Sequence, residues 1–257
     1  MLSALLPVMP PVELIILAMA AVVASYIIFG ITGFGSALIA APVLAQAMPV
    51  AEIVPLLSLV DCTAIVINGI KLGKKIDKGE MLRLVPLMVI GSLLGIYILL
   101  NMPQRPMMLI LGVFVTAYAI YTMISPPLQK HFSRVWVIPF GTIGGVFSAM
   151  FGAGGFLYAI YLNRRLHDRD AMRGTLSAVL GLSNFTRFFV FAASGVYNDG
   201  HLPMLGVFLL PAMMVGLYIG HRLTATLDRN QFSRVFCGVL ILAGGALIVR
   251  AVAMSGQ

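Results

Sequence analysis

Ten apolar runs, joined by connections too short to fold by themselves, leave this chain few architectures. They lie at about 12–29, 36–48, 53–70, 84–100, 107–124, 135–150, 156–162, 176–196, 202–220 and 232–253. At 1.5 Å per residue, about 20 residues are needed to cross a hydrocarbon layer roughly 30 Å thick. Most of the runs reach that length with help from their flanks, whereas the second and seventh do not. Of the 257 residues, 60% are hydrophobic and 10% charged, with a mean hydropathy of +1.00. A soluble domain carries about 25% charged residues, so a water-soluble globule is excluded. The runs are continuous and do not alternate, which also excludes a β-barrel. The expected fold is an all-α integral membrane protein of about ten helical segments in one domain, 1–257. The first residues, MLSALLPVMPPVELIILAMA, lack the positive leader of a secretory signal and are read as leading into the first membrane helix.

The charges set an orientation. Lys71, Lys74, Lys75, Lys78 and Arg83 fall in one connection and Lys130 and Arg134 in another; Arg164, Arg165, Arg169 and Arg173, then Arg222, Arg229 and Arg234, fill two more. Basic loops stay in the cytoplasm, so these four face inward, and the parity of the segments puts both termini outside. The net charge of +8 is thereby assigned to topology and lipid headgroups, with no nucleic-acid partner. Trp136 and Tyr197 suit an interfacial aromatic belt, and His131, His167, His201 and His221 sit at segment ends. Cys62 and Cys237 show neither metal nor redox spacing, and no cofactor is expected.

Both short runs follow a glycine motif. Gly33-Phe34-Gly35-Ser36 precedes the second, and Gly152-Ala153-Gly154-Gly155 precedes the seventh. Other features repeat in the same order: Asp61-Cys62-Thr63 falls against Asn184-Phe185-Thr186, and Pro86, Gly91 and Gly95 fall against Pro211, Gly216 and Gly220. Two five-segment repeats follow, about 12–124 and 135–253, and an odd segment number makes them inverted in the membrane. One departure stands out, since Pro42 of the first repeat faces Tyr161 of the second.

Helices that begin at about Gly35 and Gly155 present unpaired backbone N–H groups and positive dipole ends inside the membrane, and both features favour an anion. Glycine there serves either close approach to a ligand or close helix packing. Irregular backbone at that depth must be buried in protein or line a cavity. The short helices 2 and 7 are accordingly expected to reach toward the midplane, where their tips converge on a small anionic substrate.

Asp61 and Arg187 are the charged residues deep in apolar runs. Each costs roughly 2.5–3.5 kcal/mol at mid-helix on insertion scales, so each needs a partner or a wet cavity. Arg187 is the expected anion ligand because its planar fork of donors fits an oxyanion, with Asn184 and Thr186 as polar contacts. Asp61 either carries a coupling proton or holds Arg187 in place. Asn68, further along the same run, either lines the same path or caps the helix end.

With its two glycine motifs and two Pro-x4-Gly-x3-Gly helices, at 86–95 and 211–220, the chain resembles the sulfite exporter TauE/SafE family of membrane transporters over essentially its whole length. The resemblance implies movement of a small sulfur-containing anion, such as sulfite, a sulfonate or a sulfoacetate-like solute, across the inner membrane. The expected activity is alternating-access secondary transport. A small-anion channel and an intramembrane enzyme are the other classes; no GxxxxGK[ST], HExxH or Ser/Lys constellation accompanies the deep charges.

Overall fold

The computed structural model describes residues 12–32, 35–46, 48–69, 75–124, 132–223 and 229–253. Gly33, Phe34 and His131 lie outside the described residues, as does the side chain of Asn68. The elements described are helices: α1 (Val12–Thr32), α2 (Ser36–Leu44), α3 (Val50–Gly69), α4 (Lys78–Asn101), α5 (Gln104–Ile124), α6 (Val137–Phe151), α7 (Gly155–Arg165), α8 (Arg169–Ala193), α9 (His201–Leu223) and α10 (Arg229–Ala253). Six stretches among the described residues are long and apolar enough to cross a membrane: Val50–Ile67, Lys78–Asn101, Gln104–Ile124, Arg134–Phe151, Asp170–Ala193 and His201–Leu223. The chain is therefore an all-α, multi-pass membrane protein, as the apolar runs predict.

The short runs form short helices. α2 has 9 residues and α7 has 11, or about 14 and 17 Å of rise. Each pairs with its predecessor as a helical hairpin. The backbone N–H of Phe132, just before α6, donates to the carbonyl of Arg164 at 3.4 Å, so the hairpin of α6 and α7 leaves at the face where it begins. The bonds of Lys75 to Asp168 at 3.3 Å, and of Arg165 to Glu80 at 3.0 Å, show that face to be the basic one. At the opposite face Arg250 of α10 donates to the carbonyls of Ala45 and Gln46, at the end of α2, and Arg105 of α5 donates to the Ala251 carbonyl at 3.2 Å.

Helix packing repeats as the sequence does. Gly91 and Gly95 of α4 lie against α6, where a Cβ at Gly91 would strike the Thr142 carbonyl and one at Gly95 would stand 2.6 Å from the Val146 oxygen. Gly216 and Gly220 of α9 lie against α1 in the same way, at the carbonyls of Val23 and Ile27. Val23 and Ile27 precede Thr142 and Val146 by the offset that separates Gly33 from Gly152. The small residues allow backbones to approach closely, which matters where lipid tails are as apolar as the side chains and association rests on packing. The two contacts pair helices distant in sequence: α4 grips α6, and α9 grips α1.

The basic face is closed by polar links. Glu80, 4% exposed, accepts from the Tyr161 hydroxyl at 2.6 Å, Arg165 at 3.0 Å and Arg83 at 3.1 Å. Tyr161, where the repeat departs from Pro42, thus ties α7 to α4. The Thr175 hydroxyl accepts from the Asp77 backbone N–H at 2.9 Å. Asp168 caps α8, accepting from the Asp170 N–H at 2.9 Å; that bond, with Lys75 beside it, holds its carboxyl below the usual carboxylate range. At the opposite face the Tyr197 hydroxyl bonds Ser58 at 2.9 Å and the Pro55 carbonyl at 3.0 Å.

Candidate functional site

Why the chain breaks where it does is local. Gly35 sits at φ +91° and Gly152 at φ +66°, a left-handed conformation that side chains resist. Gly35 is the N-cap of α2 and Gly152 the C-cap of α6, so one glycine starts a helix and the other stops one. Gly154 has ordinary helical φ and packs instead: a Cβ there would collide with the Gly144 carbonyl and stand 3.1 Å from Ser148 Cα. Ala153 is 2% exposed and donates its N–H to the Phe147 carbonyl at 3.3 Å, and Gly155 is the buried first residue of α7. Of the glycines named in the motifs, Gly35 and Gly152 serve the turn, while Gly154 serves close packing.

The two breaks meet. A methyl placed on Gly152 would run into the Ala37 side chain in the first turn of α2 and come within 3.1 Å of Arg187 Nη1. The hairpin from one face therefore touches the hairpin from the other, with the Arg187 guanidinium against the junction. Both are enclosed, because α2 is buried from Ser36 through Pro42 and Arg187 is 2% exposed.

Around the guanidinium the geometry is specific. Arg187 Nη1 donates to the Ser148 carbonyl at 2.9 Å, in the last turn of α6. Nη2 donates to Asn184 Oδ1 and reaches Asp61 Oδ2 at 3.5 Å. Asp61, itself 2% exposed, is held more firmly from elsewhere: its Oδ1 accepts from the Tyr26 hydroxyl at 2.6 Å and from the Ser36 hydroxyl at 2.8 Å. The Asp61 carboxylate thus reads the start of α2 through Ser36, while Arg187 reads the end of α6 through Ser148. Arg187 Nε is buried with no hydrogen-bond partner, and so is the Tyr158 hydroxyl on α7. A buried donor left unmade costs about 1–3 kcal/mol, more when charged. The orphaned guanidinium N–H beside two helix breaks has the chemistry to take an acceptor, and an oxyanion would supply both the lone pairs and the charge.

Five of the sequence-predicted residues come together here: Ser36, Asp61, Gly152, Asn184 and Arg187. Thr186 does not join them, since its hydroxyl donates to the Leu182 carbonyl of its own helix at 2.8 Å. Tyr26 and Ser148 belong to the cluster without having been singled out. Ser183 extends it, with its hydroxyl 2.8 Å from that of Ser148. A serine in an apolar helix most often bonds its own backbone, as Ser25 does to the Val22 carbonyl at 2.9 Å, and a tyrosine there reads as an aromatic core residue, so nothing in the sequence marks Ser148 or Tyr26 as part of a polar cluster.

Among the described residues no group of His, Cys, Asp and Glu is placed to hold a metal. Known proteins bear on the same region. The chain is 22% identical over 193 residues, 75% of its own length and 81% of the relative's, to a protein of Comamonas testosteroni described as a probable inner membrane transporter protein, TsaS. No solved structure matches. The profile of the family described as Sulfite exporter TauE/SafE matches residues 17–247, a span containing both hairpins, Asp61 and Arg187, and the chain belongs to that family of membrane transporters.

Proposed function

We propose that this protein is a secondary transporter that carries a small sulfur-containing anion, a sulfite, sulfonate or sulfoacetate-like solute, across the cytoplasmic membrane by alternating access. The observation that carries this reading is the buried Arg187 guanidinium, with Nε unpartnered, at the junction of two hairpins arriving from opposite faces. The halves 12–124 and 135–253 act as inverted repeats around that junction, with the basic face cytoplasmic and both termini outside. The substrate anion takes Arg187 Nε, with Asn184, Ser36 and the backbone at Gly35 and at Gly152–Gly155 completing its shell. Asp61 is the internal competitor: at 3.5 Å its hold on Arg187 is long, while Tyr26 and Ser36 keep it in place when an anion takes over the guanidinium. The substrate class rests on the family; the donor set supports an oxyanion of any small kind.

The test is ligand-induced stabilisation of the purified protein in nanodiscs across sulfite, a short alkyl sulfonate, sulfoacetate, sulfate and acetate. A ligand at a hundred times its Kd stabilises by about 2.7 kcal/mol. A shift with the sulfur oxyanions, absent in Arg187→Gln and weakened in Arg187→Lys, is expected. No shift with any anion at millimolar concentration, or equal shifts in wild type and Arg187→Gln, overturns the proposal.

A further inference from the structure

A cavity of about 350 Å³ lies between α5 and the hairpin of α6 and α7. Phe156, Leu157 and Ile160 form its α7 wall, one face of that helix running from its first turn toward the basic surface, and Phe114 and Tyr118 face them from α5. At its outer rim the Arg164 guanidinium sits 4.5 Å from the centroid of the Phe132 ring. The repeat makes the location informative. On the other side α10 packs against α2, the mate of α7, and Arg250 ties the two together through the Ala45 and Gln46 carbonyls; here the gap between α5 and α7 is a cavity instead.

Its lining decides the occupant. A small oxyanion meets phenyl and aliphatic side chains along the α7 wall, so this is not the route for the solute of the central site. An acyl chain is at home on that wall, Tyr121 at the edge is 41% exposed toward the surrounding bilayer, and the cation stands at headgroup depth. We propose that this cavity is an anionic-phospholipid site, in which one acyl chain lies along α7 and the phosphate pairs with Arg164. Tails gain nothing by leaving one apolar surface for another, so selectivity comes from the headgroup. One arginine at the surface favours an anionic lipid about five-fold. The lipid so bound braces the flank of the hairpin that α10 braces on α2.

The chain's single tryptophan reports on the site, because Trp136 stacks on Phe132 with ring centroids 5.2 Å apart. The experiment places the full chain in nanodiscs containing either a brominated phosphatidylglycerol or a brominated phosphatidylcholine at equal mole fraction and reads Trp136 quenching. The anionic lipid should half-quench at about one fifth of the mole fraction its zwitterionic counterpart requires. Arg164→Gln should erase that preference and Arg164→Lys keep it, while Arg222→Gln, at a stacked arginine on α9, should leave it unchanged. Ala117→Phe, which fills the cavity from α5, should weaken quenching by both lipids. Equal quenching in the wild type, a preference that survives Arg164→Gln or is lost equally in Arg222→Gln, or displacement of the quencher by a water-soluble aromatic anion overturns the assignment.

Discussion

The contact between the hairpins can be measured by adding one methyl group at each break. Gly35→Ala and Gly152→Ala both force a side chain into left-handed backbone, at φ +91° and +66°, which costs roughly 1–2 kcal/mol apiece. Beyond that they differ. Among the described residues a methyl at Gly35 meets only the flexible end of Leu38, at 3.7 Å, which is ordinary contact. One at Gly152 drives into Ala37 of the opposing hairpin and presses Arg187 Nη1 at 3.1 Å, and overpacking of this kind costs about 1–3 kcal/mol more. Gly152→Ala should therefore be destabilised by about 2–5 kcal/mol and Gly35→Ala by about 1–2, the excess being the separation of the two tips. Thermal unfolding in nanodiscs reads this as a difference of about 2–4 °C per kcal/mol on the scale of domains this size. Because the separated tips also displace the guanidinium, anion-induced stabilisation should weaken in Gly152→Ala and persist in Gly35→Ala. Equal melting shifts in the two variants would mean that the hairpins do not touch, and the reasoning fails.

The ion pair gives a second expectation: Asp61→Asn and Arg187→Gln should each cost about 3–5 kcal/mol, because each strands a buried charge, and the double variant should cost much less than their sum. Additive losses in an unfolding titration would show that the 3.5 Å approach carries no coupling. At the basic face Glu80→Gln weakens bonds to two arginines and should cost about 1.5–3 kcal/mol, against about 1 for Tyr161→Phe, which removes a single hydroxyl; the reverse order in the same assay would place the main link elsewhere. The Asp168 carboxyl is held below its ordinary value, so its contribution is present above the unfolded pKa of about 3.9 and fades as pH falls through the depressed folded value. The melting-point gap between wild type and Asp168→Asn should accordingly exist at pH 7 and close under stronger acid, and a gap that widens on acidification would contradict the sign.

What the sequence made legible was whatever bilayer physics forbids unless it is used. A nine-residue helix cannot cross, so α2 had to turn back or stop, and the motif at Gly33–Ser36 marked the position. A carboxylate and a guanidinium deep in apolar runs need each other or a ligand, which singled out Asp61 and Arg187, and the structure brings them to 3.5 Å across α3 and α8. The Pro-x4-Gly-x3-Gly spacing on α4 and α9 was legible only as a repeat; its use, close backbone contact with α6 and α1, is visible in the structure alone. Hydroxyls stayed silent for the opposite reason. Ser36, Ser148 and Ser183 are tolerated in any membrane helix, since a serine can bond its own backbone at little cost, as Thr186 does, and Tyr26 reads as one more aromatic core residue.

Glu80 shows the same limit from another direction. Three residues after Asp77, with its N–H donating to the Asp77 carboxylate at 2.9 Å, it looks like an ordinary first-turn residue of a capped helix at the water's edge. Its burial comes from α7, whose last turns carry Tyr161 and Arg165 over it, and that approach depends on the hairpin returning to the face it came from. The two carboxylates thus play matched parts on the two hairpins. Asp61 holds the beginning of α2 through Ser36, whereas Glu80 holds the end of α7 through Tyr161 and Arg165. The Glu80 links lie at the basic face beside the half-exposed Arg83, whereas the Asp61 links are enclosed at the meeting of the two helix breaks, so the two carboxylates hold the hairpins at different depths.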